Sequence, residues 1–355
     1  MTLQPSIRVR RWPVFVASML LLFGLSGHSR QSVAQDRDSD FTAYVQSLWP
    51  KAQAKGVSRA TFDQMTAGLI YNARVIALDR DNLSSGATAT APIPSFAPYR
   101  ARHVDAPRIN GGRATRARLN PLLARIERDT GVPAQIMIAI YGHETAYGKV
   151  TGSFDLPQAL ATLAFDGRRR SLFEPELIAT MQMVERGVPR SVLRGSWAGA
   201  FGYPQFLPSV YLRVARDGDG DGQARIWSSE ADAIASIGNY LHQAGWRRSE
   251  PWGVAVRVPD SLNRAALASR LQPARCPRVF ARHSRWQSMA EWRRAGVSPE
   301  NGAWPRDNVQ AVLLEPDGPG RTAYLLTGNY RAILDYNCSN FYALSVGLLA
   351  DEITR

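Results

Sequence analysis

Apolar positions near the start of the chain recur at helical spacing. Phe41, Tyr44, Val45, Leu48 and Trp49 fall on one face, which predicts helix across residues 35–80. Ser58-Arg59-Ala60-Thr61 opens a second helix there, with Ser58 as its cap. Residues 82–97 (NLSSGATATAPIPSFA) interrupt the pattern with small, polar and proline residues, and read as an extended connector. Helix resumes around Arg116 to Asp129. The most apolar segment comes next. Pro133 suits a first helical turn. Ala134 to Tyr141 (AQIMIAIY) is apolar on nearly every side, the pattern of a helix buried all round. It runs into Gly142-His143-Glu144-Thr145 and stops near Gly148. Further helices are predicted at Pro157–Phe165, Ser171–Arg186 and Ser229–Ala244.

Residues 250–335 change character. Val254 to Val258, Val309 to Leu314 and Ala323 to Leu326 are short β-prone runs between Pro, Gly and Asp turns. Asn340 to Ile353 returns to helix. The fold class is therefore α+β, mainly α. Its expected divisions are an N-terminal helical region at 35–130, a core at 131–250, and a β-rich part with a C-terminal helix at 251–355.

Residues 1–34 stand apart. Arg8, Arg10 and Arg11 precede an uncharged apolar run from Pro13 to Gly27, too short to span a bilayer comfortably. Ser32-Val33-Ala34 supplies the small residues of a cleavage site, so these residues read as a secretory signal cut after Ala34, with an uncleaved anchor as the alternative. No cysteine directly follows the run, which argues against a lipoprotein, and the expected location is periplasmic. Losing four arginines and no acid lowers the formal charge from +13 to +9. A basic exported protein invites an anionic envelope partner. Nucleic acid is the usual alternative. Export argues against it, as does the scatter of the basic residues, whose longest run is Arg168-Arg169-Arg170. Cys276 and Cys338 are the chain's two cysteines. In an oxidising compartment they either form one disulfide, worth about 4 kcal/mol for a long loop, or remain buried thiols.

Glu144 is the first candidate for chemistry. Desolvation disfavours its charged form, and the negative end of the helix dipole pushes the same way. A carboxyl kept protonated near neutrality is what a general acid needs to protonate a glycosidic oxygen. A helix-end Glu in solvent or in a structural ion pair fits the local sequence as well. His143-Glu144 lacks the second histidine of a zinc protease motif, since Tyr147 occupies that place. Residues 195–211 (GSWAGAFGYPQFLPSVY) combine close-packing glycines with Trp197, Tyr203, Phe206 and Tyr211, and with the polar Ser196 and Gln205. Flat faces and fixed polar groups suit a sugar cleft. The same aromatics also suit helix packing, with Trp197 and Phe206 the expected core members.

Three blocks, GVPAQIMIAIYGHETAYGKVTGSF, ALATLAFDGRRRSLF and GSWAGAFGYPQFLPSVY, resemble the lytic murein transglycosylase B family in its own order. So do the Asp217–Gly222 run, Asp232-Ala-Ile, Asn239-Tyr240-Leu241 and Tyr336-Asn337-Cys338-Ser339. The resemblance covers roughly residues 40–355. It implies a lysozyme-like helical core preceded by a helical region, and a small β-containing part. It puts the catalytic role on Glu144. Cleft roles fall on Ser196, Gln205, Tyr240, Tyr336, Asn337 and Tyr342, with Tyr203 an aromatic of the same segment. The connector at 82–97 is longer than the family usually has.

Most glycosidases use two carboxylates. The family is thought to use one, with the 2-acetamido group of N-acetylmuramic acid as nucleophile and the sugar's C6 hydroxyl attacking to give a 1,6-anhydro end. The expected partner is the peptidoglycan glycan strand, with other cell-wall enzymes as candidate partners, no nucleic acid, and a monomeric state. A water-using muramidase and a non-catalytic cell-wall scaffold are the competing readings.

Asp217, Asp219, Asp221 and Gly222 occupy the first, third, fifth and sixth places of an EF-hand-like loop, and Gln223 would give a backbone carbonyl. Ser228 stands where a bidentate Glu belongs. The resemblance implies closure by Asp232, with Glu230 a weaker substitute. No cofactor is expected for the chemistry. Calcium would be structural, and a Gly/Asp-rich turn without metal is the alternative.

Overall fold

The computed structural model describes the backbone at residues 26–85, 94–271 and 273–355, and side chains at 35–82, 94–271 and 273–355. The side chains of the expected leader, and residues 86–93 of the expected connector, lie outside these ranges. The flanks of that connector are helical. Asn82 to Ser85 finish the helix Ala73–Ser85, and Phe96 opens the helix Phe96–His103. Ser95 caps the second by accepting from the Ala97 amide, a local device that outweighs the Pro-rich composition before it.

The N-terminal region is a set of short helices: Ser26–Ser47, Trp49–Ala54, Arg59–Thr66 and Ala73–Ser85. Phe41, Val45 and Leu48 are buried, so the predicted stripe is the packed face. Ser58 caps its helix by accepting from the Thr61 amide at 3.2 Å. The helix expected from Arg116 to Asp129 is two, Ala106–Arg118 and Asn120–Thr130. Leu119 leaves helical geometry between them, and Pro121 in the first turn of the second removes an amide from the ladder.

The helix Ala134–Thr145 lies at the centre. Ile136, Met137, Ile138, Ala139, Ile140 and Tyr141 are buried on all sides. Each large apolar side chain stabilises by roughly 1.5–3 kcal/mol when buried, so this helix is a rigid mount for the Glu144 turn at its end. The helices Ala106–Arg118, Glu230–Gln243 and Asn340–Thr354 pack against it.

The three β-prone runs form strands at Gly253–Arg257, Gln310–Leu314 and Ala323–Leu326. They build an antiparallel sheet in the order Gln287–Ser288, Gln310–Leu314, Ala323–Leu326, Gly253–Arg257, Ser298–Pro299. The two edge strands carry no periodic signal because two residues are too few to show one. After the sheet, Gly328–Tyr336 and Asn340–Thr354 return the chain to the helical core. Sγ of Cys276 and Sγ of Cys338 are bonded, with Cα atoms 5.9 Å apart. The fold is mainly helical with one small C-terminal sheet.

Candidate active site

The buried helix ends abruptly at the candidate acid. Ala146 and Tyr147 both take the left-handed conformation, with φ of 49° and 62°, an uncommon state for residues with a Cβ. Several contacts over-determine the turn. Thr145 Oγ1 donates to the Tyr203 carbonyl at 3.1 Å and accepts from the Gly148 amide at 3.0 Å. The Tyr147 hydroxyl donates to the Arg108 carbonyl at 2.5 Å. Position 142 must be glycine for this packing, since a Cβ there would lie 2.6 Å from the Tyr147 ring. Glu144 is thus held half-buried at the mouth of an apolar scaffold.

Burial raises the Glu144 carboxyl from 4.5 to about 7, opposed by the hydrogen bond it accepts from Tyr342. The Tyr342 hydroxyl donates to Oε1 at 2.6 Å. Tyr342 reaches this point because Ser339 caps the last helix, accepting from the Tyr342 amide at 3.3 Å. His143 beside it stays neutral. Burial first, then His103 and Arg108, pull it down to about 3. Ser345 Oγ donates to the Tyr342 carbonyl at 2.8 Å and lies 2.7 Å from His143 Nε2. The hydroxyl proton is therefore committed, and Nε2–H of His143 donates. No imidazolium then forms next to Glu144 to pull its proton off.

An aromatic wall extends from the acid. Burial and then the Glu144 carboxylate push the Tyr336 hydroxyl well up, and that hydroxyl donates to the Pro204 carbonyl at 2.5 Å. Tyr336 meets Tyr240 with ring centres 4.8 Å apart, and Phe206 packs on both at 5.7 Å. The Tyr240 hydroxyl donates to Asp335, main chain and side chain, at 2.8 and 3.0 Å. Tyr203 stands 5.7 Å from the buried Tyr141. Gln205, at φ 52°, donates from Nε2 to the carbonyls of Gly202 and Thr151 at 2.8 and 3.2 Å. Ser196 Oγ accepts from the Ala200 amide at 3.0 Å. A Cβ at Gly152 would sit 2.3 Å from the Gly195 carbonyl oxygen. Gln205 therefore braces residue 151 just beyond the acid's helix, the Gly195 backbone packs against residue 152, and Ser196 closes its own turn on Ala200. Asn337 ends the helix Gly328–Tyr336 with its side chain exposed. Phe206 is core at 3% exposure, whereas Trp197 is only half-buried and not a core residue.

Tyr99 belongs to the same neighbourhood and carries no sequence signal. Burial and then the Glu144 carboxylate raise its hydroxyl, and its ring packs 5.6 Å from Phe341. It comes just after a small, polar and proline-containing connector, where one aromatic residue predicts nothing.

The acidic loop brings Asp217, Asp219 and Asp221 together, with ligand oxygens within 4.8 Å of one another and all three exposed. Three hard carboxylate donors on a Gly-rich loop fit calcium. Asp232 does not join them. It is fully buried, and its two oxygens accept from the amides of Gly218 at 2.8 Å and Arg225 at 2.6 Å. It ties the loop's two ends from behind. Glu230 is engaged elsewhere, by Arg118 and by the Tyr141 hydroxyl at 3.0 Å. Gln223 turns its side chain to Arg225 at 3.1 Å.

A half-buried carboxyl at the end of a core helix, raised towards neutrality, thus stands beside a group of packed tyrosines. Residues 40–351 match the family model of the transglycosylase SLT domain. Over 269 residues the chain is 31% identical to the membrane-bound lytic murein transglycosylase B of Escherichia coli (strain K12), a span of 74% of this chain and 69% of that protein. SltB3 of Pseudomonas aeruginosa, crystallised with NAG-anhNAM-pentapeptide, is similar at TM-score 0.77 and 36% identity, covering 88% of this chain and 79% of that one. Escherichia coli Slt35 in complex with calcium gives 0.70 and 27%, covering 89% and 93%. The chain belongs to the SLT lytic transglycosylase family, whose members are peptidoglycan-cleaving lyases.

Proposed function

We propose that the protein cleaves the β-1,4 bond between N-acetylmuramic acid and N-acetylglucosamine, with Glu144 as acid and then base. Protonated Glu144 gives its proton to the leaving glycosidic oxygen as the bond to C1 breaks. The 2-acetamido oxygen closes on C1 meanwhile. The Glu144 carboxylate then takes the proton of the C6 hydroxyl, whose oxygen attacks C1 and releases the acetamido group. The product is a 1,6-anhydromuramic end, and Glu144 is reprotonated without water. The observation that carries this reading is the Glu144 carboxyl held near 7 with Tyr342 donating to it.

Ser196 and Asn337 offer polar groups to orient the acetamido, and Gln205 with Tyr203, Tyr240 and Tyr336 line the places of neighbouring sugars. Asp217, Asp219 and Asp221 hold a structural calcium, with the Gln223 carbonyl at the loop's end. The chain acts after export to the periplasm on glycan strands. Among the described residues no helix is long and apolar enough to cross a membrane.

Mass spectrometry of muropeptides released from purified sacculi tests the reaction. Products one water lighter than lysozyme products establish anhydro ends. Ordinary reducing ends make the protein a muramidase, and no release makes it a binding protein.

A further inference from the structure

Beyond the cleft tyrosines lies a feature that the glycan chemistry does not use. The Arg213 guanidinium sits over the Tyr240 ring, 5.4 Å from its centre. Arg213 is also on the rim of a surface pocket of about 660 Å³. The pocket is walled by the helices Trp49–Ala54, Arg170–Glu185 and Pro208–Val214. Its floor is apolar, with Ile178, Ala179 and Leu212. Its rim is basic, with Lys51, Lys55, Arg186 and Arg213. Lys51 is neutralised by Glu174 at 2.5 Å. Among the described residues no carboxylate pairs with Lys55, Arg186 or Arg213, so the lining carries three cations without an acid partner, Arg213 donating to Gln243 Oε1 at 3.0 Å.

Size restricts the occupant. Small-ligand pockets run from about 300 to 1,000 Å³, whereas a stable protein partner buries roughly 800 Å² on each side. The rim asks for several carboxylates, and the floor asks for small apolar groups between them. A stem peptide of peptidoglycan carries both, alanine methyl groups and free carboxylates. It is also tethered to the strand that the cleft holds. Extended chain spans about 3.3–3.6 Å per residue, so a peptide of this kind reaches roughly 15 Å from its muramic acid. The tether makes the second contact intramolecular, where weak contacts suffice.

We propose that the pocket rimmed by Lys55, Arg186 and Arg213 is an exosite for the acidic stem peptide of the bound strand; this rests on the peptidoglycan reading of the cleft. Arg213 links the two sites, lining the pocket while its guanidinium lies over Tyr240 and donates to Gln243 Oε1 at 3.0 Å. The exosite adds binding to peptide-bearing strands and leaves the chemical step untouched.

The test uses Lys55→Glu with Arg186→Glu, two exposed positions with no cleft contact, in the mature protein. Its substrates are purified glycan strands with their stem peptides, and the same strands stripped by an amidase. Wild type is expected to favour peptide-bearing strands about tenfold in kcat/KM, the effect of two or three exposed charge contacts. The double variant should lose that preference through KM, with kcat and the rate on stripped strands unchanged. Retained preference, or a parallel loss on both substrates, overturns the proposal. Equal cleavage of both strands by wild type overturns the exosite and leaves the glycan reading standing. Cleavage of neither overturns both.

Discussion

The hydroxyl of Tyr342 donates to Oε1 of Glu144 at 2.6 Å, across 198 residues of chain. Two effects meet on this carboxyl. Burial is the larger and favours the neutral acid, while the donated hydrogen bond favours the carboxylate. Their balance near 7 suits the double role proposed for Glu144, giving a proton and taking one back in a single cycle.

Removing the donor tests that balance. The first step needs the protonated acid, so kcat/KM should fall as pH rises through about 7. Tyr342→Phe deletes the interaction that stabilises the carboxylate. The alkaline limb should then move to higher pH, and kcat should drop because the acid is less well held. Muropeptide release measured from pH 5 to pH 9 reads both. A limb that stays in place would show that Tyr342 packs against the acid without tuning it.

Glu144→Gln should abolish turnover, by at least about a thousandfold, since no proton can move in either step. It should also change stability in a pH-dependent way. The folded carboxyl titrates near 7 and its unperturbed value is 4.5. Between these values the folded state holds a proton that the unfolded state releases, so wild-type stability falls as pH rises through that window. Glutamine carries no such penalty. The variant's melting temperature should match wild type at pH 4 and exceed it at pH 8. A constant difference at both pH values would mean that burial of Glu144 opposes ionisation less than its surroundings imply.

Much of this was legible in the sequence, for physical reasons that also mark where legibility stopped. AQIMIAIY must be buried because all of it but Gln135 is apolar, and the mount of Glu144 results from it. The three strands were visible because each carries four or five β-prone residues between turns. Contacts far apart in sequence leave no periodic trace, and Tyr342 reached the acid through the resemblance alone. Tyr99 and Ser345 were missed on the same ground. Asp232 appeared as a loop ligand because its type and spacing suited one. Only the packing shows its oxygens occupied by the Gly218 and Arg225 amides.

The loop predicts two separable behaviours. If Asp217, Asp219 and Asp221 hold calcium, adding a chelator should lower the melting temperature by about 5 °C, the scale of a site saturated well above its Kd. Asp219→Asn should remove that response. Asp232→Asn should behave differently. Its carboxylate accepts from two backbone amides, and an amide side chain keeps one oxygen, leaving a buried N–H unpaired at a cost of about 1–3 kcal/mol. That loss should be the same with and without calcium. If Asp232→Asn instead abolishes only the calcium response, it is a ligand after all.

The Cys276–Cys338 bridge closes a sequence separation of 62 residues. A loop of that length is worth about 4 kcal/mol when cross-linked. Its position makes it more than a global staple. Cys338 stands between Tyr336, which packs on Tyr240, and Ser339, which caps the helix that presents Tyr342. Freeing residue 338 loosens the one stretch of chain that positions two cleft tyrosines. Cys276→Ser with Cys338→Ser should therefore lower the melting temperature. It should also lower kcat under conditions where the variant is still fully folded by circular dichroism. Thiol titration of the denatured, unreduced wild type should find no free thiol. A variant that melts earlier but turns over at the wild-type rate would confine the bridge to stability, and Ser339 would then fix Tyr342 without it.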